Sequence, residues 1–211
     1  MIITSSVARN AKDYLISNDS VLAPVITEVG LCTIRPQTNY YGSLVDSIIS
    51  QQLSTHAAAA IEKRFRDLFN SVDFPPAEKV LEKNVEELRQ VGVGRMKANY
   101  IRDLAQNVVD GKLKFDNFNT LSNEEIIKQL TVVKGIGEWT AQMFLMFCIA
   151  RSDILPTGDL GIKNGINRLY NTPVLPDPEQ IRAVADKYNW HPYESIASWY
   201  VWQYLRNTPK I

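Results

Sequence analysis

Apolar residues recur at intervals of three and four along nearly every segment of this chain, and almost nowhere do they alternate. That spacing lines one face of a helix rather than one face of a strand, so the chain is read as mostly α. Residues 41–52 show the pattern plainly, with Leu44, Val45, Ile48 and Ile49 on one side. Ser54 stands where a cap is needed for the next helix, in which Ile61, Phe65 and Leu68 continue the repeat. Further helices are expected over residues 6–16, 21–29, 77–82, 85–90, 96–109, 124–131, 160–170, 178–188 and 191–205. Residues 139–150 are apolar nearly all round, which predicts a central buried helix.

With 45% hydrophobic residues, 211 positions suffice to bury a core in one domain or two small lobes. No apolar run approaches the length needed to cross a bilayer. Early charges at Arg9, Lys12 and Asp13 interrupt the N-terminal stretch, so neither a secretory signal nor secretion is expected. Cys32 and Cys148 stand alone and far apart, which fits a reducing compartment better than a disulfide. Two cysteines cannot hold a four-thiolate iron–sulfur cluster.

Charge is balanced: 23 Lys+Arg face 23 Asp+Glu, and the pI is near 6.7. Nucleic-acid binders are often basic, so a partner of that kind requires local asymmetry. One such stretch holds Arg95, Lys97, Arg102, Lys112 and Lys114 against Asp103 and Asp110. Lys134, Lys163 and Arg168 add to it, and Asp73, Glu78, Glu82, Glu86 and Glu87 compensate elsewhere. Such a chain neutralises few phosphates and has a shallow salt dependence.

The most distinctive stretch is Lys134-Gly135-Ile136-Gly137-Glu138-Trp139-Thr140-Ala141. Two glycines flank one apolar residue between two expected helices, permitting positive φ and leaving backbone uncovered. The second helix then opens with outward N–H groups, which suit a phosphate. An ordinary tight helix–helix connection has the same Gly-x-Gly spacing. A second Gly-x-Gly turn, Val91-Gly92-Val93-Gly94, opens the basic helix, but no period links the two. Twenty residues beyond Trp139 comes Thr157-Gly158-Asp159-Leu160. A helix of about thirteen residues is roughly 20 Å long, and the loop 151–158 can span roughly 26 Å. Asp159 can thus return to the level of Trp139. Equally, Asp159 can simply cap the helix that begins at Leu160.

These two motifs together resemble the helix-hairpin-helix DNA glycosylase superfamily, and within it the 3-methyladenine DNA glycosylase II branch. The similarity runs from about Tyr40 to Leu205. It implies an all-α fold of two helical lobes with a DNA-binding cleft between them. Residues 40–155 would form a six-helix barrel carrying the hairpin, and 1–39 with 156–211 the second lobe. The implied activity is monofunctional excision of alkylated purines, of the 3-methyladenine and 7-methylguanine type, from double-stranded DNA in base excision repair. A catalytically silent lesion-binding protein and a helical DNA-structure module, with Asp159 only a cap, are the alternatives.

The resemblance also assigns roles. Asp159 would stabilise positive charge at the sugar C1′ and orient or deprotonate water. Trp139 stands where lyase-competent relatives carry a Schiff-base lysine, and an indole supplies no such amine. Tyr193 and Trp139 would wall the pocket for a cationic base, with Met143 where the best-known relative has an aromatic. Trp199 and Trp202 are read as core. Leu53 is the expected apolar wedge, beside Gln52 and His56. Gln52 could instead be an amide bonded to loop backbone, and His56 a solvated or capping histidine. Lys134, Gly135, Gly137 and Thr140 would hold phosphate. The carbonyls of Thr131, Val133 and Ile136 match those that hold a structural Na⁺ or K⁺ beside the DNA in relatives. No other cofactor, no catalytic metal and no membrane partner is implied. A monomer is expected, cytoplasmic and nucleoid-associated in a bacterium or nuclear in a eukaryote.

Overall fold

A computed structural model describes residues 1–207. In chain order the helices are α1 (Ser5–Asn18), α2 (Ala23–Val29), α3 (Tyr40–Ser50), α4 (Thr55–Leu68), α5 (Ala77–Leu81), α6 (Val85–Gln90), α7 (Arg95–Val109), α8 (Asn123–Leu130), α9 (Glu138–Phe144), α10 (Leu160–Tyr170), α11 (Pro178–Lys187) and α12 (Glu194–Asn207). The fold is all-α, as the spacing predicts. Polar caps set many of the starts. Thr4, Asn39, Ser54, Asn84, Ser122, Asp159 and Asp177 each accept the backbone N–H three residues on. Glu87, Glu125 and Gln180 return the bond to complete capping boxes. A cap of this kind stabilises its helix by about 1 kcal/mol.

The chain divides into two compact units, Thr38–Phe144 and Met1–Gln37 with Leu145–Ile211. Residues 208–211 of the expected second lobe lie outside the described residues. The observed division after Phe144 precedes the expected one at 155. The reason is that the segment after α9 pairs with the N-terminal strand-like residues. Ile3 N–H donates to Ala150 O at 2.7 Å, Ser152 N–H to Met1 O at 2.9 Å and Gln37 N–H to Cys148 O at 2.8 Å. An isolated antiparallel bridge joins Ile2 and Arg151.

In the unit Thr38–Phe144, α7 packs on α3, α5 and α6, while α3 also meets α4 and α9, and α8 meets α9. Leu44, Ile48, Phe65, Ile101, Leu104 and Ile126 are fully buried there. Several basic residues along α7 and just beyond it have partners within the chain. Arg95 pairs with Glu86 at 2.6 Å, and Lys112 with Asp110 at 2.8 Å. Arg102 donates to the carbonyls of Leu81 and Lys83, and Lys97 to two others described below.

In the other unit, α12 packs on α1, α2 and α10. Gly165 makes the α10–α12 contact close, since a Cβ there would lie 2.2 Å from Val201 Cγ1. Beneath them Asp19 is fully buried. Its Oδ1 accepts Val21 and Leu22 N–H at 3.0 and 2.9 Å, and its Oδ2 accepts Tyr170 O–H at 2.5 Å and Trp190 Nε1–H at 2.8 Å.

The helix expected over 139–150 is interrupted. α9 ends at Phe144, and a π-helical turn, Leu145–Ile149, follows. Arg151 N–H then reaches back to Leu145 O, and Ala150 is left-handed at φ 63°. The wider turn changes which side chains point inward. Leu145, Met146, Cys148 and Ile149 are buried, whereas Phe147 is 40% exposed.

Candidate active site and nucleic-acid interface

The expected site residues fall into two groups, one in each unit. In Thr38–Phe144 they occupy the connection between α8 and α9 and the loop between α3 and α4.

The hairpin's two glycines do different jobs. Gly135 sits at φ +86°, and a Cβ there would fall 2.2 Å from Tyr100 Cδ2, so only glycine satisfies both demands. Gly137 has no positive φ, and a Cβ there would meet nothing within 4 Å. Its face is open. Among the described residues, the N–H groups of Gly135 and Gly137 make no intramolecular hydrogen bond, and a phosphate oxygen is the acceptor such groups suit. Lys134 is anchored from behind: its N–H donates to Asp103 Oδ2 at 2.9 Å, and its Nζ lies 3.8 Å from Asp103 Oδ1. The Lys134 side chain remains 77% exposed. Thr140 is buried, so its hydroxyl is not on the exposed face of the hairpin. Val133 O accepts Ile136 N–H at 3.1 Å, which leaves its second lone pair. The carbonyls of Thr131 and Ile136 belong to the same connection between α8 and α9. Trp139, half exposed, and Met143 stand one turn apart on α9.

The loop after α3 holds Gln51 at its C-cap and Gln52 in the left-handed region at φ 56°. Leu53 follows, 39% exposed, before Ser54 caps α4. Gln52 and His56 are both exposed. The amide bonded to loop backbone is Gln51, one residue earlier than expected: its Nε2–H donates to Gly135 O at 2.9 Å. The wedge loop and the hairpin are thereby tied.

In the other unit, Asp159 caps α10, its Oδ1 accepting Ile162 N–H at 2.8 Å. The same oxygen accepts Trp202 Nε1–H at 3.0 Å. Trp202 packs on the core as expected, but it also donates to the Asp159 carboxylate, a contact not read from the sequence. Gly161 makes room for this bond. A Cβ there would lie 2.8 Å from Trp202 Nε1 and 2.9 Å from Asp159 Oδ1. Phe147, turned outward by the π-helical turn, lies against Trp202 with centroids 5.7 Å apart. Tyr193 packs edge-on against Tyr14 at 5.3 Å, and Tyr14 O–H donates to His191 O at 3.2 Å.

The chain belongs to the HhH-GPD superfamily of base excision DNA repair proteins, whose family model matches residues 45–189. DNA is thus its partner. It is 34% identical over 164 residues to DNA-3-methyladenine glycosylase 1 of Schizosaccharomyces pombe, covering 77% of this chain and 71% of that protein. It is 28% identical to the alkylbase DNA glycosidase-like protein mag2 of the same yeast, covering 92% of each. The structure of S. pombe Mag1 in complex with abasic DNA superposes with a TM-score of 0.81 at 30% identity, over 96% of this chain and 99% of that one. A DNA-3-methyladenine glycosidase from Bacillus halodurans gives 0.80 at 34% identity, over 92% and 88%. No described helix is long and apolar enough to cross a membrane, and no group of three or more His, Cys, Asp or Glu among the described residues could hold a metal ion.

Proposed function

We propose that this chain is a monofunctional DNA glycosylase that releases alkylated purines, of the 3-methyladenine and 7-methylguanine type, from double-stranded DNA as a monomer. The observation that carries the reading is Asp159, fixed by two N–H donors on one oxygen. A carboxylate already oriented stabilises the oxocarbenium-like sugar without reorganising at the moment of reaction. It also stands ready to take a proton from the attacking water. An N3- or N7-alkylated purine is already cationic and leaves without a strong general acid. The hairpin backbone holds a phosphate, Leu53 fills the gap left by the flipped nucleotide, and aromatic faces favour the cationic base. The carbonyls of Thr131, Val133 and Ile136 would hold a monovalent cation that adds positive charge beside the gripped phosphate. Trp139 at the hairpin supports hydrolysis without a Schiff base, since no amine stands there.

One pair of assays tests this. Wild-type protein should release 7-methylguanine or 3-methyladenine from methylated DNA, and Asp159→Asn should bind that DNA but release nothing measurable. Borohydride should trap no covalent adduct. Equal release by both proteins would remove Asp159 from catalysis, and a trapped adduct would end the monofunctional assignment. A second reading, a lesion-binding protein without turnover, draws on the helix-capping role that Asp159 also fills. Binding without release by the wild type would select it.

A further inference from the structure

Helix α7 carries three side chains at intervals of three residues, and each touches a different part of the nucleic-acid interface. Lys97 Nζ donates to Ile49 O at 2.8 Å and to Gln51 O at 2.6 Å, at the C-terminal end of α3. A cation there meets the last carbonyls of a helix, where the dipole favours it. The Tyr100 ring lies against Gly135 so closely that no Cβ fits between them. The Asp103 carboxylate holds the N–H of Lys134 at 2.9 Å. Lys97 and Tyr100 thus fix the wedge loop and the hairpin to one rod, and Gln51 closes the loop by bonding directly to Gly135 O.

We infer that Lys97 and Gln51 are positioning residues that couple the phosphate grip of the hairpin to insertion of Leu53. The inference rests on the glycosylase reading above and deepens it. A wedge can enter a base stack only if something holds the duplex against it. Here the holding element is the hairpin, and the strut between them is the Gln51 amide. The loop needs that strut. Gln52 is held in the left-handed region, a conformation that persists only when its surroundings over-determine it. On one side of it Gln51 is clamped at both its carbonyl and its side chain, and on the other Ser54 is fixed as the cap of α4. Leu53 between them is left exposed. The strut acts through the loop it holds, so its loss shows in lesion recognition rather than in general affinity.

The test compares binding to a duplex bearing a tetrahydrofuran abasic-site analogue with binding to the same duplex undamaged. Gln51→Met and Lys97→Met should each lower the preference for the abasic duplex by about 10-fold, within the usual range for coupled sites, while affinity for undamaged DNA stays within about twofold. Lys97→Arg, which keeps the cation, should restore most of the preference. Adding Leu53→Ala to Gln51→Met should cost little more than either change alone, because both remove the same event. Melting temperatures near that of the wild type keep the comparison meaningful for Lys97→Arg and Gln51→Met. Fully additive losses from Leu53→Ala and Gln51→Met would overturn the coupling, as would an equal fall in affinity for both duplexes. A wild-type protein with no preference for the abasic duplex would overturn the glycosylase reading and this inference with it.

Discussion

Trp202 Nε1–H donates to Asp159 Oδ1 at 3.0 Å, joining the middle of α12 to the first position before α10. The bond spans 43 residues of sequence, and it meets an oxygen that already caps a helix. One oxygen is thus held by two donors from different directions, which fixes the plane of the carboxyl group.

Trp202→Phe should therefore keep the ring packing against Phe147 but lose the N–H. Base release in single turnover should fall by about 10- to 100-fold, the cost of small misplacements at a reacting centre, with binding to the abasic duplex unchanged. Gly161→Ala should act in the same direction without deleting any polar group, because its Cβ would crowd the bond from one side. Unchanged rates in both variants would show that the indole only packs.

The two hairpin glycines should separate under mutation. Gly135→Ala forces a left-handed alanine against Tyr100 and should destabilise the protein by about 2 kcal/mol or more. Gly137→Ala meets nothing and should fold with wild-type stability, yet cover the open backbone and weaken binding to DNA several-fold. Chemical denaturation and equilibrium DNA binding on both variants check this. The opposite pattern would mean that the phosphate does not approach at Gly137.

Asp46 gives a pH dependence with a definite sign. Burial raises its carboxyl above the ordinary value, and Glu62 adds repulsion that Arg66 only partly offsets. A carboxyl raised on folding favours the native state only while protonated. That contribution is full below the unfolded value of about 4 and is lost as the pH climbs through the folded value. Asp46→Asn should accordingly raise the melting temperature at pH 7, with the gain shrinking towards zero as the pH falls to about 3.5. A gain independent of pH would assign the effect to packing instead.

Asp19 is buried with donors on both carboxyl oxygens. Asp19→Asn turns an amide N–H₂ or a lone carbonyl towards donors that needed an acceptor, and should cost about 3 kcal/mol. Urea unfolding measures it. A loss below about 1 kcal/mol would show that the pocket rearranges around the amide.

Much of this molecule was legible in its sequence because local rules agreed with the fold. Residues 85–90 and 160–170 form helices as read, and Asp159 caps the second as its position allowed. Ser54 caps α4 as its position required. The π-helical turn was not legible, because a segment apolar on all sides carries no periodicity that could reveal an extra residue per turn. The indole that orients Asp159 was hidden by distance along the chain. At Gln51 and Gln52 two identical side chains differ only in backbone: the left-handed φ at Gln52 turns it to solvent and leaves Gln51 facing the hairpin. Charge counting along residues 95–114 left the roles of its members open for a related reason. Composition does not say whether a guanidinium faces a phosphate or a neighbouring carbonyl, and Arg102 took the second course.

The division of the chain at Gln37 and Phe144 has a consequence for how the protein is made. The stretch Thr38–Phe144 is continuous in sequence, whereas α1 and α2 leave the ribosome before it yet pack on α12, which follows it. At roughly 5–20 residues per second, the chain from α2 to the end of α12 takes about 10 to 35 seconds to make. Until then the apolar faces that α1 and α2 turn to α12 lack that cover, and the carboxylate at 159 waits likewise for the Trp202 N–H that orients it.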